Sequence, residues 1–110
     1  AQKTAREYET TLFNRQLLAA CADGDTKEVA RLLNQGAEVM TVDEGRRTPL
    51  HVAAAAGNTR SAKLLIKRGA VVNAKDQEGR TPLDLANGGN HPKTEKLLKK
   101  HGGMLGAETP

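Results

Sequence analysis

Aromatic residues are nearly absent from this chain of 110 residues, which contains one Phe, one Tyr and no Trp. A closed core of that size normally includes several rings, whereas small residues such as Ala let helices approach closely. The single cysteine, Cys21, excludes an intramolecular disulfide and agrees with a reducing compartment. No apolar run reaches the length of a membrane span or of a signal-peptide core. We therefore expect a thin helical protein of the cytoplasm, or of an organelle if a transit peptide preceded Ala1.

One seven-residue stretch occurs twice, thirty-three residues apart. Thr48–Ala54 reads Thr-Pro-Leu-His-Val-Ala-Ala, and Thr81–Asn87 reads Thr-Pro-Leu-Asp-Leu-Ala-Asn. The similarity continues between Lys63–Gly69 and Lys96–Gly102, and one period upstream in Ala30–Gly36. A fixed period of this length is typical of a stack of supersecondary units. The Thr-Pro-Leu-His sequence also resembles the signature of the ankyrin repeat.

The resemblance implies an all-α solenoid of helix-turn-helix units joined by β-hairpin loops. The repeats are expected at about 13–45, 46–78 and 79–103, which together form one ankyrin-repeat domain over 13–103. Residues 1–12 are an N-terminal extension that is either helical or frayed, and residues 104–110 are expected to form a flexible tail without periodicity.

The helix boundaries follow from capping residues. Thr48 is a favourable N-cap followed by Pro at the first helical position, and Gly57 supplies a left-handed stop. By resemblance, His51 has a structural imidazole that bonds to Thr48 and to neighbouring backbone. In the third unit Gly88 and Gly89 oppose helix, so its first helix is expected to end near Ala86 or Asn87.

No motif of an enzyme, a metal site or a cofactor site is found. The three histidines are not at ligand spacing, and Cys21 aligns with a packed alanine, which indicates burial rather than reactivity. The carboxylates at the expected hairpin tips should be surrounded by water and so should be ordinary surface carboxylates: Asp43, Glu44, Asp76 and Glu78. We therefore predict that the chain is not an enzyme and binds no cofactor.

Charge divides the chain into two parts. Residues 1–45 have a net charge of −3, whereas residues 46–102 have +8. Lysines on the second helices are interpreted as a solvated surface that maintains solubility. The arginines of the hairpins are the better candidates for recognition. Nucleic acid is disfavoured as a partner, because the tips mix both signs of charge and stacking rings are lacking.

These observations predict a module that binds another protein through its concave face. The resemblance implies contact positions at the hairpin tips and on the inner helices: Asp43, Glu44, Arg46, Arg47, Ala55, Ala56, Lys75, Gln77, Glu78, Arg80 and Asn87. Gly45 lies one residue earlier in its loop than Gly79, so the first tip is expected to differ in geometry. The alternatives are a structural subunit of a larger assembly, or weak binding of nucleic acid or an anionic surface through the basic second half.

Overall fold

The computed structural model describes residues 4–109, which form three helix pairs stacked side by side. The first helices of the pairs, the inner helices, pack against one another, and the second or outer helices form a layer behind them. The molecule measures 41 × 29 × 20 Å, as a short stack should. In chain order the helices are α1 (Ala5–Asp23), α2 (Thr26–Asn34), α3 (Pro49–Ala56), α4 (Thr59–Lys67), α5 (Pro82–Gly88) and α6 (Pro92–Lys100).

The middle pair begins and ends where the sequence predicts. Thr48 caps α3 by accepting a hydrogen bond from the N–H of His51, and Pro49 occupies the first helical position. Gly57 ends α3 with a φ of 73°, in the left-handed region that favours glycine. Asn58 then directly precedes α4.

Leucine and alanine fill the space between the two layers. Leu17, Leu50 and Leu65 are completely buried, and small residues between the helices allow their close approach. Cys21 is one of these small buried residues, and burial raises the pKa of its thiol to about 12. The thiol is therefore protonated and inert at neutral pH, which confirms the predicted packing role.

Polar side chains connect each repeat to the next one. Asn58 donates from Nδ2 to the carbonyl of Cys21 at 2.6 Å, and one repeat later His91 Nε2 lies 3.0 Å from the carbonyl of Ala55. Each side chain thus satisfies a carbonyl near the C-terminal end of the preceding inner helix. Hydroxyl pairs join neighbouring outer helices, namely Thr26 with Ser61 at 3.1 Å and Thr59 with Thr94 at 2.8 Å.

The loops between the pairs each contain a tight turn, and residues 4–109 contain no strand. Two backbone bonds close each turn: the N–H of Asp43 donates to the carbonyl of Arg47 and the N–H of Arg46 to the carbonyl of Asp43, and Asp76, Arg80 and Gly79 repeat this arrangement. The β-hairpin loops implied by the resemblance are therefore reduced to turns. A Thr-Pro helix start follows each turn directly, so the chain enters a helix where the second strand of a hairpin would lie.

The first helix of the third repeat ends later than predicted. α5 includes Gly88, and Asn90 makes the left-handed turn with a φ of 59°, which asparagine tolerates better than most residues. Glycine is required at position 89 because a side chain there would collide with its neighbours. A Cβ atom there would lie 2.7 Å from Nε2 of His91 and 3.2 Å from the carbonyl oxygen of Ala55. The second glycine thus makes room for the imidazole that joins the repeats.

The N-terminal extension is helical from Ala5 onward and continuous with the first repeat. Thr4 caps this helix through the N–H of Glu7, and Tyr8 and Leu12 lie exposed on the same turn-spaced stripe. Residues 1–3 of the extension and Pro110 of the tail lie outside the described residues.

The prediction of a flexible tail is wrong for residues 104–109. Asn73 Oδ1 accepts the N–H of Met104 at 2.8 Å, and Asp84 Oδ2 accepts the N–H of Gly106 at 2.8 Å. Leu105 packs against the core, and a short 3₁₀ helix follows at Gly106–Glu108. The tail is held because Gly103-Met104-Leu105 continues the repeat period of Ala70-Val71-Val72, a match too short to recognise in the sequence.

Candidate partner-binding site

Two turns of the same shape project between the helix pairs; we call them the first finger (residues 43–47) and the second finger (residues 76–80). In the first, Asp43 Oδ1 accepts the N–H groups of Gly45 and Arg47, both at 2.9 Å. In the second, Asp76 Oδ1 accepts the equivalent N–H groups of Glu78 and Arg80, also at 2.9 Å. An aspartate at the first position thus folds each finger by capping its own turn.

The predicted difference in tip geometry is wrong. The left-handed position is occupied by Gly79 in the second finger, with a φ of 76°, and by Arg46 in the first, with a φ of 62°. Gly45 lies one residue before that position and has no left-handed φ. The turn of the first finger therefore has the same shape as that of the second. Because Gly45 comes one residue too early, Arg46 occupies the left-handed position that favours glycine.

Asp76 is the most enclosed carboxylate of the two fingers, with a side chain that is 1% exposed. Its Oδ2 lies 3.1 Å from Nε of Arg80 and 4.0 Å from Nε of Arg47. Burial alone would raise the pKa of Asp76. The hydrogen bonds from Arg80 and Glu78, with the charge of Arg80, outweigh burial and hold the pKa below its ordinary value. The prediction that water surrounds this carboxylate is therefore wrong.

Arg47 and Arg80 are thus ion-pair partners of Asp76 as well as finger residues. Arg80 also pairs with Glu78, at 3.3 Å between Nη2 and Oε1, and the two arginine side chains are little more than one third exposed. Arg46 differs, because it is exposed and forms no ion pair with any residue between 4 and 109. Among the finger arginines, Arg46 is the one that is exposed and not held by an ion pair among the described residues.

His51 connects the second finger to the middle repeat. Its Nδ1 lies 3.1 Å from the N of Thr48, and its Nε2 lies 2.8 Å from the carbonyl oxygen of Arg80. Because a carbonyl only accepts, Nε2 carries the proton and Nδ1 accepts from the N–H of Thr48. Burial lowers the pKa of His51 and outweighs the bond to Arg80, which favours this neutral form. The implied structural role of the imidazole is confirmed.

The fingers are also joined to each other, since the N–H of Gln77 donates to the carbonyl of Gly45 at 2.9 Å. This bond places the predicted contact residues of both tips on one continuous surface. The exposed residues among them are Asp43, Glu44, Arg46, Lys75, Gln77 and Glu78.

A groove of about 650 Å³ lies between α1 and the first finger. Leu18 and the half-exposed Val42 supply its apolar surface, and Arg15, Asp43 and Glu44 supply charges of both signs. The sequence reasoning missed Arg15, Leu18 and Val42. Val42 corresponds to Lys75 in the next repeat. An apolar residue at this position of a polar loop is the sequence feature that could have indicated the groove.

The inner-helix predictions divide into two groups. Ala56 is exposed and Ala55 is half-buried at the end of α3. Asn87 is exposed at the C-terminal end of the stack, where it lines a separate groove with Leu83 and Met104. It corresponds to the buried Ala54 one repeat earlier, so it faces the side on which a further repeat would pack. Asn87 is therefore not part of the finger surface.

The family model of ankyrin repeats, in three copies, matches residues 17–108. The chain belongs to the ankyrin-repeat family. Ankyrin repeats are in general protein-interaction modules without catalytic activity. No curated protein matches the chain.

The third ankyrin repeat replaces the signature histidine by Asp84, and the structure shows the consequence. In the second repeat His51 donates to a carbonyl of the following finger, whereas Asp84 accepts the N–H of Thr81 and of Gly106. A carboxylate accepts hydrogen bonds and so needs a donor. The tail supplies the N–H of Gly106 at the place where a further finger would supply a carbonyl, which only a donor such as histidine could use. The exchange of histidine for aspartate thus matches the presence of the tail, rather than of a further finger, beside Asp84.

Two further properties of the ankyrin stack concern the whole described chain. Within residues 4–109, no group of three His, Cys, Asp or Glu side chains is arranged to bind a metal ion. Over the same residues no helix is both long and apolar enough to cross a membrane.

Proposed function

We propose that this ankyrin-repeat chain binds another protein through the tips of the two fingers and the groove beside the first. The observation that carries the proposal is the pre-organised turn of each finger. Backbone N–H groups are fixed by Asp43 and Asp76, while Glu44, Arg46 and Gln77 remain exposed. A surface that is ordered before binding loses little conformational entropy when a partner docks.

The chemistry of this surface fits a protein partner. Charges of both signs fix orientation and exclude wrong partners, and the apolar surface that Leu18 and Val42 contribute to the groove offers an area to desolvate. Arg46 adds a further argument. It adopts a left-handed backbone that costs free energy for any residue but glycine, and such strain is concentrated at functional sites. A side chain kept at a strained position is a reasonable contact residue.

A structural subunit of a larger assembly is the second candidate function. Tyr8 is 59% exposed and Leu12 is 52% exposed on the first two turns of α1. Exposed apolar pairs of this kind mark interaction surfaces when they lie together. An assembly subunit would use this end as well as the finger surface.

The test exchanges two charges on the first finger without changing the net charge. The double variant Glu44→Arg, Arg46→Glu is used as bait in the native source and the captured proteins are quantified by mass spectrometry. Its matched control exchanges Arg6→Glu and Glu9→Arg on α1, where both residues are exposed. We expect the finger variant to lose its specific partner by about tenfold or more, and the control to keep it.

Thermal unfolding followed by circular dichroism checks that both variants remain folded. Equal capture by the finger variant and the wild type would refute the finger site. Loss of capture in both variants would instead favour the assembly subunit, which uses several surfaces. Tight, sequence-dependent binding of DNA or RNA at physiological salt would refute a protein partner altogether.

A further inference from the structure

Six exposed cations lie together on the outer helices α4 and α6, on the side of the molecule formed by the second helices. The repeat period places each cation of α4 beside its equivalent on α6. We call this set the basic face, and its members are Arg60, Lys63, Lys67, Lys93, Lys96 and Lys100.

The spacing within each helix brings the charges onto one side. In each helix the three cations are spaced i, i+3 and i+7 and form a row along one side. Each row extends over about 10 Å at the helical rise of about 1.5 Å per residue. The hydroxyls of Thr59 and Thr94, 2.8 Å apart, hold the two helices side by side. Packed helices are about 8–10 Å apart, which is close to the Debye length in physiological salt, so the fields of the two rows add.

No carboxylate neutralises the basic face within residues 4–109. All ion pairs of the described residues lie elsewhere, on α2 and on the fingers. Glu95 is the one acidic residue on these two helices, but it lines the groove at the C-terminal end together with Asn87 and Lys99. The six cations are therefore exposed and form no ion pair among the described residues.

The outer layer does not need this concentration of charge in order to fold. In α2 the equivalent positions are occupied by Lys27, Ala30 and Asn34, and Arg31 is paired with Glu28. Like charges at three- and four-residue spacing oppose helix formation. A mixed surface, as on α2, would also maintain solubility at less cost in helix stability.

We propose that the basic face is a second docking surface and that its occupant is an acidic, Asp- and Glu-rich segment of another protein. Charge complementarity favours such an occupant, because carboxylates would replace the missing counter-charges of both rows. The face carries no aromatic ring on which a nucleic-acid base would stack. It also carries no bulky apolar anchor for insertion into a membrane surface. This surface is separate from the fingers and does not depend on their proposed function.

The test measures the binding of a short labelled oligo-glutamate peptide to the full chain by fluorescence anisotropy at low and physiological salt. Lys63→Gln with Lys96→Gln removes two charges from the centre of the basic face. Arg6→Glu on α1 changes the net charge by the same amount at a distant exposed site. We expect the double variant to weaken binding about tenfold and Arg6→Glu to weaken it less than about twofold.

Removal of the repulsion should leave the melting temperature of the double variant equal to that of the wild type or higher, which separates a binding defect from misfolding. Equal weakening by both variants would mean that only net charge matters and would refute a defined surface. Tighter wild-type binding to duplex DNA, or to vesicles rich in phosphatidylserine, than to the peptide at physiological salt would also overturn the proposal.

Discussion

The two fingers have the same turn but support it differently. In both fingers the aspartate accepts the N–H groups of the residues two and four positions later, yet Asp43 is exposed while Asp76 is buried between two arginines. The left-handed position carries Arg46 in one finger and Gly79 in the other. The first finger is therefore strained and more open to solvent, and the second is unstrained and tied into the stack.

This difference separates structural residues from candidate contact residues. The second finger joins the repeats, because its aspartate binds Arg47 of the first finger and its Arg80 carbonyl receives His51. The first finger keeps a conformationally unfavourable arginine at its tip, beside the apolar groove. Stability is thus concentrated in the second finger, and we place the recognition chemistry mainly in the first.

The largest effect is expected from removal of the buried aspartate. Asp76→Ala leaves two arginines without their shared carboxylate and two backbone N–H groups without an acceptor, and should lower the free energy of unfolding by about 2–4 kcal/mol. Asp43→Ala is the matched control and should cost about 0.5–1 kcal/mol, because water can replace its exposed carboxylate. Urea denaturation of the two variants measures the difference; equal losses would show that burial does not distinguish the fingers.

The contacts of the second finger should also make the stability of the protein depend on pH. The folded-state pKa values of Asp76 and His51 are both lowered, so each group stabilises the fold above its unfolded pKa and loses that contribution as the pH falls through the folded value. The loss of stability begins below about pH 6.5 for His51 and below about pH 3.9 for Asp76, the ordinary pKa values of the two side chains in an unfolded chain. Asp76→Asn should therefore flatten the decline at the most acidic pH values, and an unchanged decline would contradict the contribution assigned to Asp76. Urea midpoints measured across this range decide between the two outcomes.

A methyl group at the left-handed position should destabilise the second finger. No atom lies within 4 Å of a Cβ built at Gly79, so the cost of Gly79→Ala is the backbone conformation alone, about 1–2 kcal/mol. Gly45→Ala should change the free energy of unfolding by less than about 0.5 kcal/mol, since Gly45 has no left-handed φ and its nearest neighbour would be Asp43 Oδ1 at 3.5 Å. Thermal melts test both. A larger cost at Gly45 than at Gly79 would contradict the positions assigned to the two glycines.

The smallest effect should have the opposite sign. Arg46→Gly relieves the left-handed strain of the first finger and should stabilise the protein by about 0.5–1 kcal/mol, while weakening partner capture. The melting temperature and the capture assay are measured on the same preparation. A variant that melts higher and still captures its partner would show that Arg46 is not a contact residue.

The helices of the middle repeat could be predicted from sequence because their determinants are local. Thr48, Pro49 and Gly57 act within one or two turns of backbone, so a capping rule is enough to find them. The fingers could not be predicted in the same way. Gly45 indicated a different turn, but Asp43 fixes the conformation through its carboxylate and leaves the left-handed φ to the next residue.

The burial of a side chain and its contacts with residues far away in the sequence could not be predicted from the repeat pattern. The enclosure of Asp76 depends on Arg47, which comes from the preceding loop, and no spacing rule connects the two. The docking of the tail depends likewise on Asn73 and Asp84 in earlier parts of the third unit. The loops that carry the predicted contact residues could therefore be located from the sequence, whereas the different contacts of Arg46, Arg47 and Arg80 required the structure.

Amide hydrogen exchange in the free protein tests most directly the central claim that both fingers are ordered before any partner binds. The amides of Gly45, Arg47, Glu78 and Arg80 donate to the two aspartates, and that of Gln77 donates to the other finger. We expect all five to exchange at least about tenfold more slowly than the same residues in an unstructured peptide, with the second finger the more protected. Exchange of these amides at the rate of an unstructured peptide would show that the fingers are not pre-organised, and would contradict the account.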